Sequence, residues 1–174
     1  LLFNVDFYNY LYYNFNMENI NLEKLDKKFE LISKLSQILN ENADKRVVVV
    51  GTTCTGKSTF LKNIQNTHDM DELVFPQLSK EEHDYVCSHP STPEIGNKMI
   101  SLTKEKIKIE PGKPVFGTIV LDSDLIVYLQ ISDELLKQRT ELRGAKFEDA
   151  KNMQNQIEEE INKSNIPVLN FFVG

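Results

Sequence analysis

Four consecutive valines, Val47–Val50, run straight into Gly51-Thr52-Thr53-Cys54-Thr55-Gly56-Lys57-Ser58, and nothing else in the 174-residue chain restricts its fold as tightly. Four β-branched residues without polar alternation read as a strand buried on both faces, the pattern of a central strand in a parallel sheet. The octapeptide fits G-x-x-x-x-G-K-[ST] at every fixed position, and Thr59-Phe60-Leu61-Lys62-Asn63-Ile64 behind it reads as the start of a helix. Strand, glycine-bearing loop and helix N-terminus in that order make a cradle for phosphate groups. Gly51 and Gly56 let successive N–H groups turn inward, and the helix end adds partial positive charge at the same spot. The candidate binding residues are Gly51, Thr52, Thr53, Cys54, Thr55, Gly56, Lys57, Ser58 and Thr59. Lys57 is spaced to reach β- and γ-phosphates, and the Ser58 hydroxyl is a ligand for Mg²⁺. Cys54 lies near a lysine and amides that can lower a thiol pKa. We read it as a small residue at a variable position, without a catalytic role.

The chain is the length of one globular domain, expected over 17–174. With 26 acidic against 20 basic residues and a net charge of −6, it lacks the basic face that nucleic-acid binding leaves. No apolar run approaches the ~20 residues that cross a membrane. Two cysteines, Cys54 and Cys87, form neither a disulfide framework nor a zinc site, which is the usage of a reducing cytoplasm. His68, His83 and His89 are too scattered for a metal site and read as surface residues.

Motif absences narrow the class. A GTPase needs N-K-x-D, and both Asn97-Lys98-Met99-Ile100 and Asn162-Lys163-Ser164-Asn165 lack the Asp; no Asp is followed three residues later by Gly. The chain has no Gly-Gly pair for a transporter-type signature, and it is short for a hexameric motor.

A second feature is positive. Residues 124–132, DLIVYLQIS, form an apolar strand, followed by a helix over 133–144 with Ser132 as N-cap and Gly144 as its stop. Arg139 and Arg143 are four apart on one face of that helix. They are two of only three arginines in a chain that otherwise uses Lys, and Arg alone offers a planar fork to phosphate oxygens. The alternative is a solvated helix face paired with Glu134 or Glu141.

Together, VVVVGTTCTGKST and DLIVYLQISDELLKQRTELRG resemble the P-loop small-molecule kinases: nucleoside and nucleoside-monophosphate, shikimate and gluconate kinases. The resemblance spans about 47–172. It implies a three-layer α/β fold, with a mostly parallel sheet of four or five strands and helices on both faces. It also implies ATP and Mg²⁺ as cofactors, a small-molecule acceptor such as a nucleoside or nucleotide, and Arg139 and Arg143 over the ATP phosphates. An acidic residue after the first helix would serve Mg²⁺ or the acceptor hydroxyl; the matching positions are Asp69 and Asp71. Asp122, ending the apolar run Thr118-Ile119-Val120-Leu121, reads as a strand-terminal metal ligand. The bland alternative for all three is a loop or cap carboxylate.

The acceptor side is expected within 73–113, where 79–88 and Pro93–Lys106 read as short helices, but no acceptor signature stands out. Phe116-Gly117-Thr118 opens the next strand, with a glycine that permits close approach. An amphipathic helix over 147–164 and a strand over 166–173 follow. Only 12 positions separate Lys57 from Asp69, so the first helix is short and the second strand missing or vestigial. The sequence stops after the last strand, where the family places adenine-contacting residues. A helix over 22–39, with Leu22, Leu25, Phe29, Ile32 and Leu39 on one stripe, is the candidate to cover that face. Residues 1–16, almost wholly Leu, Phe, Tyr and Asn before Met17, read as a disordered tail or an upstream start artefact rather than an added strand or arm. The competing functional reading is an NTP-binding regulatory module with little turnover.

Overall fold

The computed structural model describes residues 22–88 and 92–174. The expectations for 1–16 and for His89 lie outside the described residues. The elements follow in the order α1 (Leu22–Glu41), β1 (Val47–Val50), α2 (Lys57–Asn63), β2 (His68–Asp69), α3 (Met70–Val74), a 3₁₀ turn (Phe75–Gln77) and α4 (Lys80–Val86). Then come α5 (Pro93–Lys106), β3 (Val115–Gly117), β4 (Leu125–Gln130), α6 (Asp133–Arg143), α7 (Phe147–Lys163) and β5 (Val168–Phe172).

The five strands form one all-parallel sheet in the order β2-β3-β1-β4-β5. The valine strand lies at its centre, with Val49 opposite Phe116 on one side and Val127 on the other. Period-two alternation divides its side chains between two cores. Val47 and Val49 join Leu125, Val127 and Leu129 under Leu35 and Leu39 of α1, Phe60 of α2 and Leu136 of α6. Val48 and Val50 join Ile126 and Tyr128 under Met70 and Val74 of α3 and Ile157 of α7. Helices therefore cover both faces, which is why β1 and β4 carry hydrophobic residues at consecutive positions.

The second strand is vestigial, as expected, and consists only of His68–Asp69. One element differs from expectation. The apolar run 118–122 is not a strand. It belongs to the seven residues joining the end of β3 to the start of β4, and Val120 and Leu121 are buried in the second core as that link crosses the sheet face. An extended link of this length spans roughly 25 Å, enough to return along the sheet without a helix. Its hydrophobicity reflects packing on the sheet, not a place within it.

Candidate functional site

β1 delivers Gly51 to the carboxyl edge of the sheet, where the backbone turns sharply into α2. Gly51 sits against β4: a Cβ there would lie 3.0 Å from Leu129 Cβ and 3.0 Å from Thr55 Oγ1. Gly56, the N-cap of α2, has φ +99°, in the left-handed region that glycine adopts without steric cost. Cys54 also has a left-handed backbone, φ 64°. Side chains brace this shape from within and below. Thr55 Oγ1 donates to Thr52 O at 2.8 Å, and buried Thr52 Oγ1 donates to Ala150 O, tying the loop to α7. Among the described residues, the backbone N–H groups of Thr53, Cys54, Gly56, Lys57 and Ser58 donate to no protein acceptor, while Thr55 N–H turns back toward Thr52 O. Consecutive unpaired donors around a left-handed residue, at a helix N-terminus, form a nest for an anion.

Lys57 folds back over this loop, its Nζ donating to Gly51 O at 2.6 Å and Thr52 O at 2.7 Å. Burial, helped by Arg143 and opposed by Asp69, Cys54 and Asp71, brings its pKa from 10.5 down to about 8. Ser58 is exposed beside it.

Asp69 ends β2 and caps α3, accepting the Asp71 N–H at 2.9 Å. Its strand register, Asp69 opposite Phe116 and Phe116 opposite Val49, puts it two strands from the loop at the same edge of the sheet. Both carboxylates are close enough for their charge to act on Lys57. The Asp71 carboxyl is pushed above its ordinary value by burial and by Asp69, against the pull of Lys57.

α6 begins at Ser132, whose Oγ accepts the Leu135 N–H, and ends at Gly144. On it, half-buried Arg139 reaches the loop from outside: Nη1 donates to Cys54 O at 3.2 Å and to Thr55 O at 3.1 Å. Burial draws its guanidinium below the ordinary value. Arg143, one turn on, is exposed and acts on Lys57 through charge alone.

The structure thus brings Gly51 through Thr59, Asp69, Asp71, Arg139 and Arg143 to one edge of the sheet. Asp122 does not join them. Arg46, immediately before β1, donates from Nη1 to Asp122 at 2.8 Å and from Nη2 to Asp124 at 2.8 Å. The whole of β1 therefore separates Asp122 from Ser58, and the expected metal ligand is a carboxylate of a surface ion cluster. The hydrophobic run before it imitated a strand.

Two further features have no sequence signature. The Thr52–Ala150 tie joins positions 98 apart. A cleft of about 600 Å³ opens on the outer side of the loop, between α1 and α6, with Gly56, Thr59 and Arg139 on its wall. No protein-family model and no curated protein matches the chain. Among the described residues, no helix is long and apolar enough to cross a membrane.

Proposed function

We propose that the protein has a P-loop NTPase fold and is an ATP-dependent kinase of a small-molecule acceptor, such as a nucleoside or nucleotide. The observation that carries the reading is the nest: unpaired N–H groups at Gly56, Lys57 and Ser58, with Lys57 Nζ alongside held by two carbonyls that a phosphate can replace. Phosphoryl transfer asks little covalent chemistry of a protein, and these groups supply its positioning and charge. Loop amides hold the polyphosphate and Lys57 turns from Gly51 O and Thr52 O to its β- and γ-oxygens. Arg139 braces the loop through Cys54 O and Thr55 O and, with Arg143, supplies positive charge beside it.

The residues fit Mg²⁺: the Ser58 hydroxyl and the Asp69 carboxylate are hard oxygen donors of the kind this ion takes beside substrate phosphates and water. Mg²⁺ held there would offset charge developing on the phosphoryl oxygens. Asp71, whose carboxyl already holds its proton more tightly than usual, is the group to accept a proton from the acceptor hydroxyl, with Asp69 fixing the turn that carries it.

The test is a screen of the protein with Mg·ATP against nucleosides, nucleotides, sugars and sugar acids, with Lys57→Ala alongside. ADP release that depends on an acceptor and is lost in the variant supports the kinase. Tight nucleotide binding without turnover across the panel would refute it in favour of a nucleotide-binding module.

A further inference from the structure

The cleft beside the loop is walled on one side by a helix that precedes the phosphate-binding unit in sequence. α1 packs across the first core through Ile32, Leu35 and Leu39, and its flank at Leu31 and Ile32 faces α6 at Leu135 over a floor made by Phe60 and Val173. The cleft is continuous with the anion nest through Gly56 and Thr59, and its volume of about 600 Å³ lies within the ~300–1,000 Å³ of small-molecule sites. An apolar slot that opens at one end onto a polyphosphate cradle matches a ligand with an apolar planar end and an anionic end. The charged groups on its rim, Lys27, Lys28 and Arg139, are all hydrogen-bond donors, and among the described residues no carboxylate lines it. They suit ring nitrogens, carbonyls and ribose oxygens, which are acceptors.

Resting on the phosphate-site reading above, we infer that the α1–α6 cleft receives the nucleoside end of the bound nucleotide, with α1 as the wall that packs on it and Leu31 as its apolar contact. Base occupancy and α1 packing are then linked. A nucleotide that fills the slot holds α1 on the sheet, and loosening α1 weakens nucleotides by the same factor.

The test compares Mg·ATP, Mg·GTP and Mg·tripolyphosphate on the full chain, by calorimetry and by hydrogen exchange. A stacked, desolvated base should make at least one nucleoside triphosphate bind about tenfold or more tightly than tripolyphosphate. That nucleotide should slow exchange of the α1 amides around Leu31 and Ile32, and tripolyphosphate should not. Leu31→Ala should weaken the nucleotide several-fold and leave tripolyphosphate unchanged; the wild-type comparisons decide the matter even if that variant fails to fold. Equal affinity for all three ligands, or α1 exchange indifferent to nucleotide, would overturn the assignment while leaving the phosphate site intact. If Lys57→Ala fails to weaken tripolyphosphate itself, the phosphate-site reading has failed instead.

Discussion

Raising the pH from 7 to 9 should strip the charge from Lys57 in the ligand-free protein and weaken nucleotide binding in proportion. The lysine is buried against the loop, and its pKa falls from 10.5 to about 8, a difference worth roughly 3 kcal/mol between its charged and neutral forms. A polyphosphate in the nest adds negative charge beside Nζ and restores the ordinary value. Binding therefore takes up protons: about 0.1 per site at pH 7, about 0.5 at pH 8 and about 0.9 at pH 9. Affinity should drop about tenfold from pH 7 to pH 9. Stability of the free protein moves the other way. The unfolded chain keeps this proton up to about 10.5 while the folded one loses it near 8, so between those values stability rises with pH. Calorimetric titration with Mg·ATP in buffers of different ionisation enthalpy reads the proton count directly. Zero uptake at pH 9, or the same uptake in Lys57→Met, would refute the assignment of this lysine to the phosphates.

Other perturbations separate site from scaffold. Gly117→Ala would push a Cβ to 2.5–2.8 Å from Met70, whose own Cβ is among the atoms met; α3 must shift, at a cost of about 1–3 kcal/mol in urea unfolding, with turnover falling as Asp71 moves. Arg139→Lys, which loses the planar guanidinium that spans Cys54 O and Thr55 O, should cut turnover at least tenfold while nucleotide affinity changes less; parallel losses would make Arg139 a loop brace only. Asp122→Asn should leave Mg·nucleotide affinity unchanged, since Asp122 belongs to the Arg46 cluster, and a lost Mg²⁺ dependence would contradict its position here.

How far the sequence spoke depended on the range of the interaction involved. The loop was legible because its chemistry is local: β1, Gly56, Lys57 and Ser58 lie within twelve residues, and each position has its own physical requirement. α6 was legible for the same reason, with Ser132 and Gly144 capping it as their types prescribe. Periodicity placed α1, α5 and α7 within two residues. It misled at 118–122, because a segment packed against a sheet and a strand inside one bury the same residues. Gly51 was expected to serve an unusual backbone, whereas the structure uses it for close approach to Leu129. The partnership of Arg46 with Asp122 and Asp124, the Thr52–Ala150 tie and the α1–α6 cleft depend on tertiary placement, and no spacing rule reaches them. α1 read as a packing helix and the candidate cover for the face after the last strand; the cleft where its flank meets α6 appears only in the fold.

The most direct test of the central claim is a titration of the wild-type protein and Lys57→Ala with Mg·ATP at pH 7. The geometry predicts saturable one-to-one binding by the wild type, competed by tripolyphosphate, and at least tenfold weaker binding by a variant that melts at a similar temperature. Absence of binding by the folded wild type, or equal binding by both proteins, would contradict it.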